Sequence, residues 1–213
     1  MRLEEQNGLV RPKTLSRKQA GCSPDIIAIG SSTGGPSALY SLFSELPANL
    51  HLPVVVTQHM PAQFLQSLME RMERELPQSF CLAEEGMVLE KGRVHLAPGG
   101  MHLEVVRSNR KLICHLSDAD FVHDCRPAVD PMFFSLAKLA PITKTLAVIL
   151  TGMGKDGAAG AVAVQQAKGY VIAQDEHSSV VWGMPGAAVR LNAVDKVMPL
   201  SDISACIVAR CAM

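Results

Sequence analysis

The sequence is poor in aromatic residues, carries no net charge and has no long hydrophobic run. Only 4% of its 213 residues are aromatic, so aliphatic side chains and Met must fill the core that 48% apolar residues can form. The 20 basic and 20 acidic residues balance, which argues against bulk capture of nucleic acid or of an anionic membrane. The longest aliphatic stretches, such as LAVIL at 146–150, are far too short to cross a bilayer. We therefore expect one soluble α/β domain without direct membrane insertion.

Closely spaced cysteine pairs are also lacking. Six cysteines are scattered along a chain that is too long to need disulfide stapling and that shows no secretion signal, which predicts reduced thiols and a cytoplasmic location. The segment CHLSDADFVHDC (114–125) brings two Cys and two His together, but it has no C-x-x-C pair. Neighbours such as Cys114 and His115 would also point to opposite faces of a strand. This segment therefore gives little support for a metal site.

Short apolar runs alternate with helical patterns from Asp25 onward. Residues 1–24 are polar and aperiodic, which predicts a linker or disordered tail ahead of a domain over 25–213. The predicted strands are IIAIG (26–30), PVVVTQ (53–58), TLAVIL (145–150), YVIAQ (170–174) and the weaker KVMPL (196–200). The predicted helices cover about 36–46, 61–76, 130–139, 157–168, one short segment further on, and the C-terminus from about 203. This rhythm favours parallel strands with crossover helices.

The middle of the chain has a different pattern. RVHLAP, HLEVVR and LICHL are short alternating runs, with SNR (108–110) as a turn between the last two. They predict a hairpin-like insert in the α/β domain.

The first strand runs into a loop, IGSSTGGPSAL, of a shape that can bind phosphate or present a nucleophile. A dinucleotide fingerprint fails, because Gly30, Gly34 and Gly35 have the wrong spacing and the second strand ends without an acid. A P-loop fails here for want of a lysine. It also fails at TGMGKDG (151–157), where Asp156 replaces the required hydroxyl. Neither standard phosphate motif is present.

Three strands end in residues suited to nucleophilic catalysis. Ser31, Ser32 and Thr33 follow the first, His59 follows the second, and Asp156 follows TLAVILTG. Because carboxyl ends of parallel strands share one edge of a sheet, these side chains should meet there. The ordinary alternatives are N-caps, loop punctuation and a structural histidine. Asp124, Asp130 and above all Asp175 also compete for the acid role. These residues alone leave a catalytic site and simple loop chemistry about equally supported, and they do not separate the two serines.

Five ordered motifs resemble the catalytic domain of the chemotaxis protein-glutamate methylesterase family, CheB. They are IAIGSSTGGPSAL, VVTQHMP, RPAVDPMF, LTGMGKDGAAG and AQDEHSSVVWGMP. The resemblance implies a doubly wound, mostly parallel sheet with a small hairpin. It further implies Ser32 as nucleophile, His59 as base and Asp156 as the orienting acid. Ser31 stands where the family usually has Ala. By the same match, Thr33 is similar to a hydrogen-bonding neighbour of the triad and Met153 to a backbone oxyanion donor.

The resemblance also implies an activity and partners. We expect hydrolysis of glutamyl γ-methyl esters on the cytoplasmic helices of chemoreceptors, with glutamine deamidation as a related activity and without metal or cofactor. The family usually places a receiver domain before the catalytic domain, whereas here about 24 residues precede the first strand. An excised catalytic domain and a stand-alone esterase outside chemotaxis are both compatible with that. A non-catalytic peptide- or anion-binding module on the same fold is the alternative from another class.

Overall fold

The computed structural model describes residues 23–212, so nearly all of the linker predicted over 1–24 lies outside the described residues. The strands are β1 (Ile26–Ser31), β2 (Val54–Gln58), β3 (Ser79–Leu82), β4 (Arg93–Leu96), β5 (His102–Ser108), β6 (Lys111–Ser117), β7 (Thr145–Ile149), β8 (Tyr170–Gln174) and β9 (Lys196–Met198). The helices are α1 (Gly35–Glu45), α2 (Ala62–Glu75), α3 (Val129–Lys138), α4 (Ala158–Gln166), α5 (Gly183–Arg190) and α6 (Leu200–Cys211).

Seven strands form one sheet in the order β3-β4-β2-β1-β7-β8-β9, and each neighbouring pair is parallel. β1 lies at the centre, with Ser31 opposite Gln58 of β2 and Gly30 opposite Ile149 of β7. β5 and β6 form the separate antiparallel pair. The predicted α/β fold with a parallel sheet, crossover helices and a hairpin insert is therefore confirmed.

Both faces of the sheet are covered, because β1, β2 and β7 are apolar on both sides. On one face α3, α4, α5 and the hairpin contribute to a cluster that includes Val129, Ala161 and Leu103. On the other face α1, α2 and α6 contribute to a cluster that includes Leu39, Met72 and Ile207. Strands buried on both faces explain the continuous Val, Ile and Leu runs in the sequence. Within residues 23–212, no helix combines the length and the apolar character needed to span a membrane.

Two strands of the main sheet differ from the sequence prediction. The sequence pattern groups RVHLAP with the hairpin, but β4 pairs in parallel with β2 and β3. Its alternating appearance comes from His95, which is fully buried and whose Nδ1 lies 3.2 Å from the Val54 carbonyl oxygen. The edge strand β3 was not predicted, because its four residues are too few to show a period.

Candidate active site

The strand order of the sheet switches between β1 and β7. The two strands are neighbours, yet α1, which follows β1, and α4, which follows β7, pack on opposite faces. Such a switch point leaves space just beyond the strand ends. The strand ladders continue one residue into the loops. The His59 N–H donates to the Ser31 carbonyl at 3.0 Å, and the Ser32 N–H donates to the Thr151 carbonyl at 3.0 Å. The loops carrying Ser32 and His59 are therefore fixed to the sheet.

His59 and Asp156 form a hydrogen-bonded pair at the carboxyl edge of the sheet. The His59 Nε2 atom lies 2.6 Å from Asp156 Oδ2, and the two side chains are 10% and 1% exposed. A carboxylate acceptor fixes the proton on Nε2, so Nδ1 becomes the ring nitrogen free to accept a proton. The structure thus brings together the predicted base and the predicted orienting acid.

Asp156 is held in place by the first turn of α3. Its Oδ2 accepts the Val129 N–H at 2.6 Å, and its Oδ1 accepts the N–H groups of Asp130 at 2.9 Å and Gly157 at 2.8 Å. Burial alone would raise the pKa of Asp156, but the hydrogen bonds from His59, Val129 and Asp130 outweigh it and leave the pKa below its ordinary value. The positive end of the α3 dipole favours the same charge. Asp156 is therefore a stable anion beside His59.

Asp130 is the counterpart of Asp156 at the next helix. Its buried Oδ1 accepts the Gly160 N–H of α4 at 2.7 Å, while Oδ2 lies 3.1 Å from His123 Nε2. Asp156 thus caps α3 and Asp130 caps α4, although neither helix has a side-chain cap from its own N-cap residue. Burial, with a smaller contribution from the charge of Asp156, raises the pKa of Asp130.

The cluster of His123, Asp130 and Asp156 has potential ligand atoms within 4.8 Å of one another. Every carboxylate oxygen in it already interacts with a nitrogen of the protein. The two carboxylates of this cluster therefore serve to cap helices α3 and α4.

The two adjacent serines differ in exposure. Ser31 is fully buried at the end of β1, and its hydroxyl donates to Gln58 Oε1 at 2.7 Å. Ser32 is half-buried and lines the same cleft as His59. A Cβ on Gly152 would lie 2.8 Å from the Ser32 Cβ, so glycine is needed where the loop after β7 passes this serine. Of the two hydroxyls, that of Ser32 is the one at the cleft.

Thr33 lies on the loop after β1 and Met153 on the loop after β7. Thr33 lines the cleft, and the Thr33 carbonyl accepts the Thr151 hydroxyl at 2.9 Å. Met153 is 72% exposed, and its backbone N–H has no acceptor within the described part of the chain. A free N–H beside Gly152, and therefore close to Ser32, has the chemistry that an oxyanion requires.

The cleft has a volume of about 580 Å³ and lies between the loops after β1 and β2 and the first turns of α2. Its wall on α2 includes Phe64, which is 54% exposed, together with Leu68 and Arg71. An open, largely apolar cleft of this kind suits a side chain presented on a polypeptide surface.

The competing candidates have other partners. Asp175 accepts the N–H of Ser178 at 2.9 Å and its hydroxyl at 2.6 Å, and therefore closes a local turn after β8. Cys114 is fully buried, and burial raises the pKa of its thiol to about 12. His115, on the other face of β6, lies 3.2 Å from Glu85. The predicted opposite orientation of Cys114 and His115 is confirmed.

Gln58, Thr151 and Gln174 form hydrogen bonds between the loops at this edge of the sheet, and none of them is among the candidates predicted from the sequence. Gln58 bonds the loops after β1 and β2, while Gln174 Oε1 accepts the Thr151 N–H at 2.8 Å. The available signal was a polar amide at the end of an apolar strand, which occurs in VVVTQ and again in YVIAQ.

Comparisons with known proteins agree with this architecture. A family model described as CheB methylesterase matches residues 27–207. A protein-glutamate methylesterase/protein-glutamine glutaminase of Hahella chejuensis is 50% identical over 181 residues, which cover 84% of this chain and 49% of that protein. One of Pseudomonas aeruginosa is 47% identical over 188 residues, which cover 88% of this chain and 53% of that protein.

A crystal structure of the Thermotoga maritima CheB methylesterase catalytic domain matches with a TM-score of 0.84 and 39% identity, over 88% of this chain and 99% of that domain. The chain spans about half the length of the curated relatives it matches. The family match covers most of the chain, and the parallel sheet with its hairpin agrees with it. The chain belongs to the CheB methylesterase family.

Proposed function

We propose that this protein is a serine hydrolase that removes methyl groups from glutamyl γ-methyl esters of chemoreceptors. The observation that carries the proposal is the buried His59–Asp156 pair in the cleft that Ser32 lines. A histidine oriented by a carboxylate beside an accessible serine is the arrangement that activates a hydroxyl for acyl transfer.

The catalytic cycle begins with proton transfer from Ser32 to His59. Asp156 holds the proton on Nε2, so His59 Nδ1 takes the hydroxyl proton as Oγ attacks the ester carbonyl. The resulting imidazolium is stabilised by the Asp156 carboxylate and returns its proton to the methoxy group, so that methanol leaves. Water then attacks the acyl-enzyme with His59 again as base, which releases the glutamate carboxylate and restores Ser32. No hydrogen bond joins the Ser32 hydroxyl to His59 among the described residues, so this cycle requires that contact to form in the substrate complex, as is common for catalytic hydrogen bonds.

The oxyanion of each tetrahedral intermediate needs donors that the resting protein leaves free. The N–H of Met153 satisfies that condition, whereas the N–H of Ser32 is already bonded to Thr151. Met153 is therefore the proposed oxyanion donor, a role worth about 3–4 kcal/mol per donor in serine hydrolases. Thr33 lines the cleft next to Ser32 and would assist in positioning the substrate or the hydroxyl.

The proposed substrate follows from the relatives and the chemistry of the cleft. The names of the relatives pair a methylesterase with a glutaminase, and the same attack on a glutamine amide would release ammonia in place of methanol. A helix of a receptor cytoplasmic domain would lie along the open cleft beside Phe64 and present one ester to Ser32. We infer a cytoplasmic site of action because that is where such receptor helices lie.

Methanol release from a purified, methylated receptor cytoplasmic domain tests the proposal. The wild-type protein should release methanol, Ser32→Ala should not, and thermal unfolding should show that the variant remains folded. Ser31→Ala is the matched serine control and should retain the reaction, slowed several-fold at most. Methanol release by folded Ser32→Ala, or none by the wild type, would refute the assignment.

A further inference from the structure

One buried side chain connects the backbones of the residues that carry the nucleophile and the base. Gln58 is 1% exposed at the end of β2. Its Nε2 donates to the carbonyl of Ser32 at 2.9 Å and to the carbonyl of His59 at 2.9 Å. Both hydrogens of the amide are therefore used on these two residues.

The oxygen of the Gln58 amide also has a buried partner. Because the carbonyls of Ser32 and His59 can only accept, they require Nε2 to face them, and Oε1 then points to Ser31. The Ser31 hydroxyl, fully buried, donates to Gln58 Oε1 at 2.7 Å. A Cβ on Gly35 would collide with Oε1, so the helix start leaves just the space that the amide occupies.

We propose that Gln58 is a positioning residue that sets the separation of Ser32 and His59, and that the Ser31 hydroxyl acts through it. This inference rests on the proposed function for its catalytic consequence. It assigns a role to the hydroxyl of Ser31, the position at which the resemblance leads us to expect Ala.

Removing the amide should slow catalysis without weakening substrate binding. In Gln58→Leu the carbonyls of Ser32 and His59 lose their shared donor, and the two loops can move apart. Because a displacement of about 1 Å in a reacting group can cost about 100-fold in rate, we expect kcat to fall about 10- to 100-fold with KM within about twofold. In Gly35→Ala the added methyl group would collide with Gln58 Oε1 and displace the amide, so we expect the same fall in kcat.

Gln78 supplies a matched control for loss of stability. It is also buried, at 3% exposed, and its Nε2 donates to the carbonyls of Phe43 at 3.0 Å and Leu46 at 2.7 Å, at the C-terminal end of α1. Gln78→Leu removes the same chemical group from another buried site, where Oε1 has no partner among the described residues. It should lower the unfolding temperature and leave kcat within twofold of wild type.

A double-mutant cycle tests whether Ser31 acts through Gln58. Ser31→Ala should reduce kcat several-fold, because Gln58 Oε1 then loses its partner and the amide is held less firmly. In the Gln58→Leu background the same substitution should have no further effect on kcat. Additive losses would show that Ser31 acts independently.

The deciding experiment measures kcat, KM and unfolding temperature for wild type, Gln58→Leu and Gln78→Leu. Equal kcat losses in the two variants, or a Gln58→Leu effect confined to KM or stability, would overturn the proposal. If the wild type releases no methanol, the proposed function fails, and the crystal structure of Gln58→Leu then decides the positioning role. Displacement of the Ser32 loop from His59 supports it, whereas an unchanged backbone at both residues refutes it.

Discussion

Replacing Asp156 by asparagine separates its catalytic role from its structural one. The side-chain oxygen of asparagine can still accept the N–H groups of Asp130 and Gly157, which bond Oδ1 in the wild type. Its NH₂ group would occupy the place of Oδ2, where it faces the Val129 N–H and His59 Nε2. An amide donor there forces Nε2 to accept, so the His59 proton moves to Nδ1 and the ring can no longer take a proton from Ser32.

The expected magnitudes follow from these contacts. In serine proteases, the same substitution of the orienting acid lowers kcat by about 10⁴-fold, and we expect about 10³- to 10⁴-fold here. One hydrogen bond to a charged acceptor, from Val129, is lost outright and is worth about 1.5–3 kcal/mol. A net loss of about 2 kcal/mol would lower Tm by about 4–8 °C in a domain of this size.

Methanol release and a thermal scan on the same preparation measure both effects. Retention of at least a tenth of the wild-type rate by folded Asp156→Asn would refute the orienting role. Asp175→Asn is the control, since the Asp175 side chain bonds Ser178 in its local turn and its replacement should leave kcat within about twofold.

Acidification should reveal how much the Asp156 carboxylate contributes to stability. Because the pKa of Asp156 lies below its ordinary value of 3.8, its ionisation stabilises the fold above about pH 4, and that contribution disappears as the pH falls through the folded-state pKa. The free energy of unfolding should therefore depend less steeply on pH below about 4 in Asp156→Asn than in wild type. Chemical denaturation at several pH values measures this, and parallel curves would contradict it.

Three further outcomes follow from the site. In nitrogen-15 NMR of the histidines, the hydrogen-bonded ring proton of His59 should be attached to Nε2, and a proton on Nδ1 in the resting protein would contradict the geometry. Met153→Pro deletes the proposed oxyanion donor and should lower kcat about 10²- to 10³-fold, whereas Met153→Leu keeps the N–H and should keep most of the rate. Asp130→Asn should lower the free energy of unfolding at neutral pH by no more than about 1 kcal/mol, as measured by chemical denaturation. Burial already disfavours the charge of Asp130, and the amide oxygen can still accept the Gly160 N–H. A loss above about 3 kcal/mol would show that the charge is essential.

The positions of Ser32, His59 and Asp156 at one edge of the sheet were predictable, because each follows the end of a parallel strand. β1, β2 and β7 are continuous apolar runs, and the residues after them must lie at one edge of the sheet. Spacing alone did not distinguish Ser32 from Ser31. The structure separates them through burial, since Ser31 faces Gln58 inside the protein.

The supporting contacts could not be predicted, because they join residues that are distant in the sequence. Asp130 was considered only as a rival acid, and its role as the cap of α4 depends on how α3 and α4 pack. The sequence pattern groups β4 with the hairpin because a buried histidine, His95, occupies a position that looks polar and solvent-facing in the sequence. Such contacts depend on tertiary packing, which local periodicity does not encode.

Labelling with a serine-directed fluorophosphonate, followed by peptide mass mapping and rate measurement, tests the central claim most directly. Ser32 lines the cleft, and we expect one adduct, on Ser32, that forms at least 100-fold more slowly in His59→Gln. An adduct on Ser31 or on another hydroxyl, or an undiminished rate in His59→Gln, would contradict the claim that His59 and Asp156 activate Ser32.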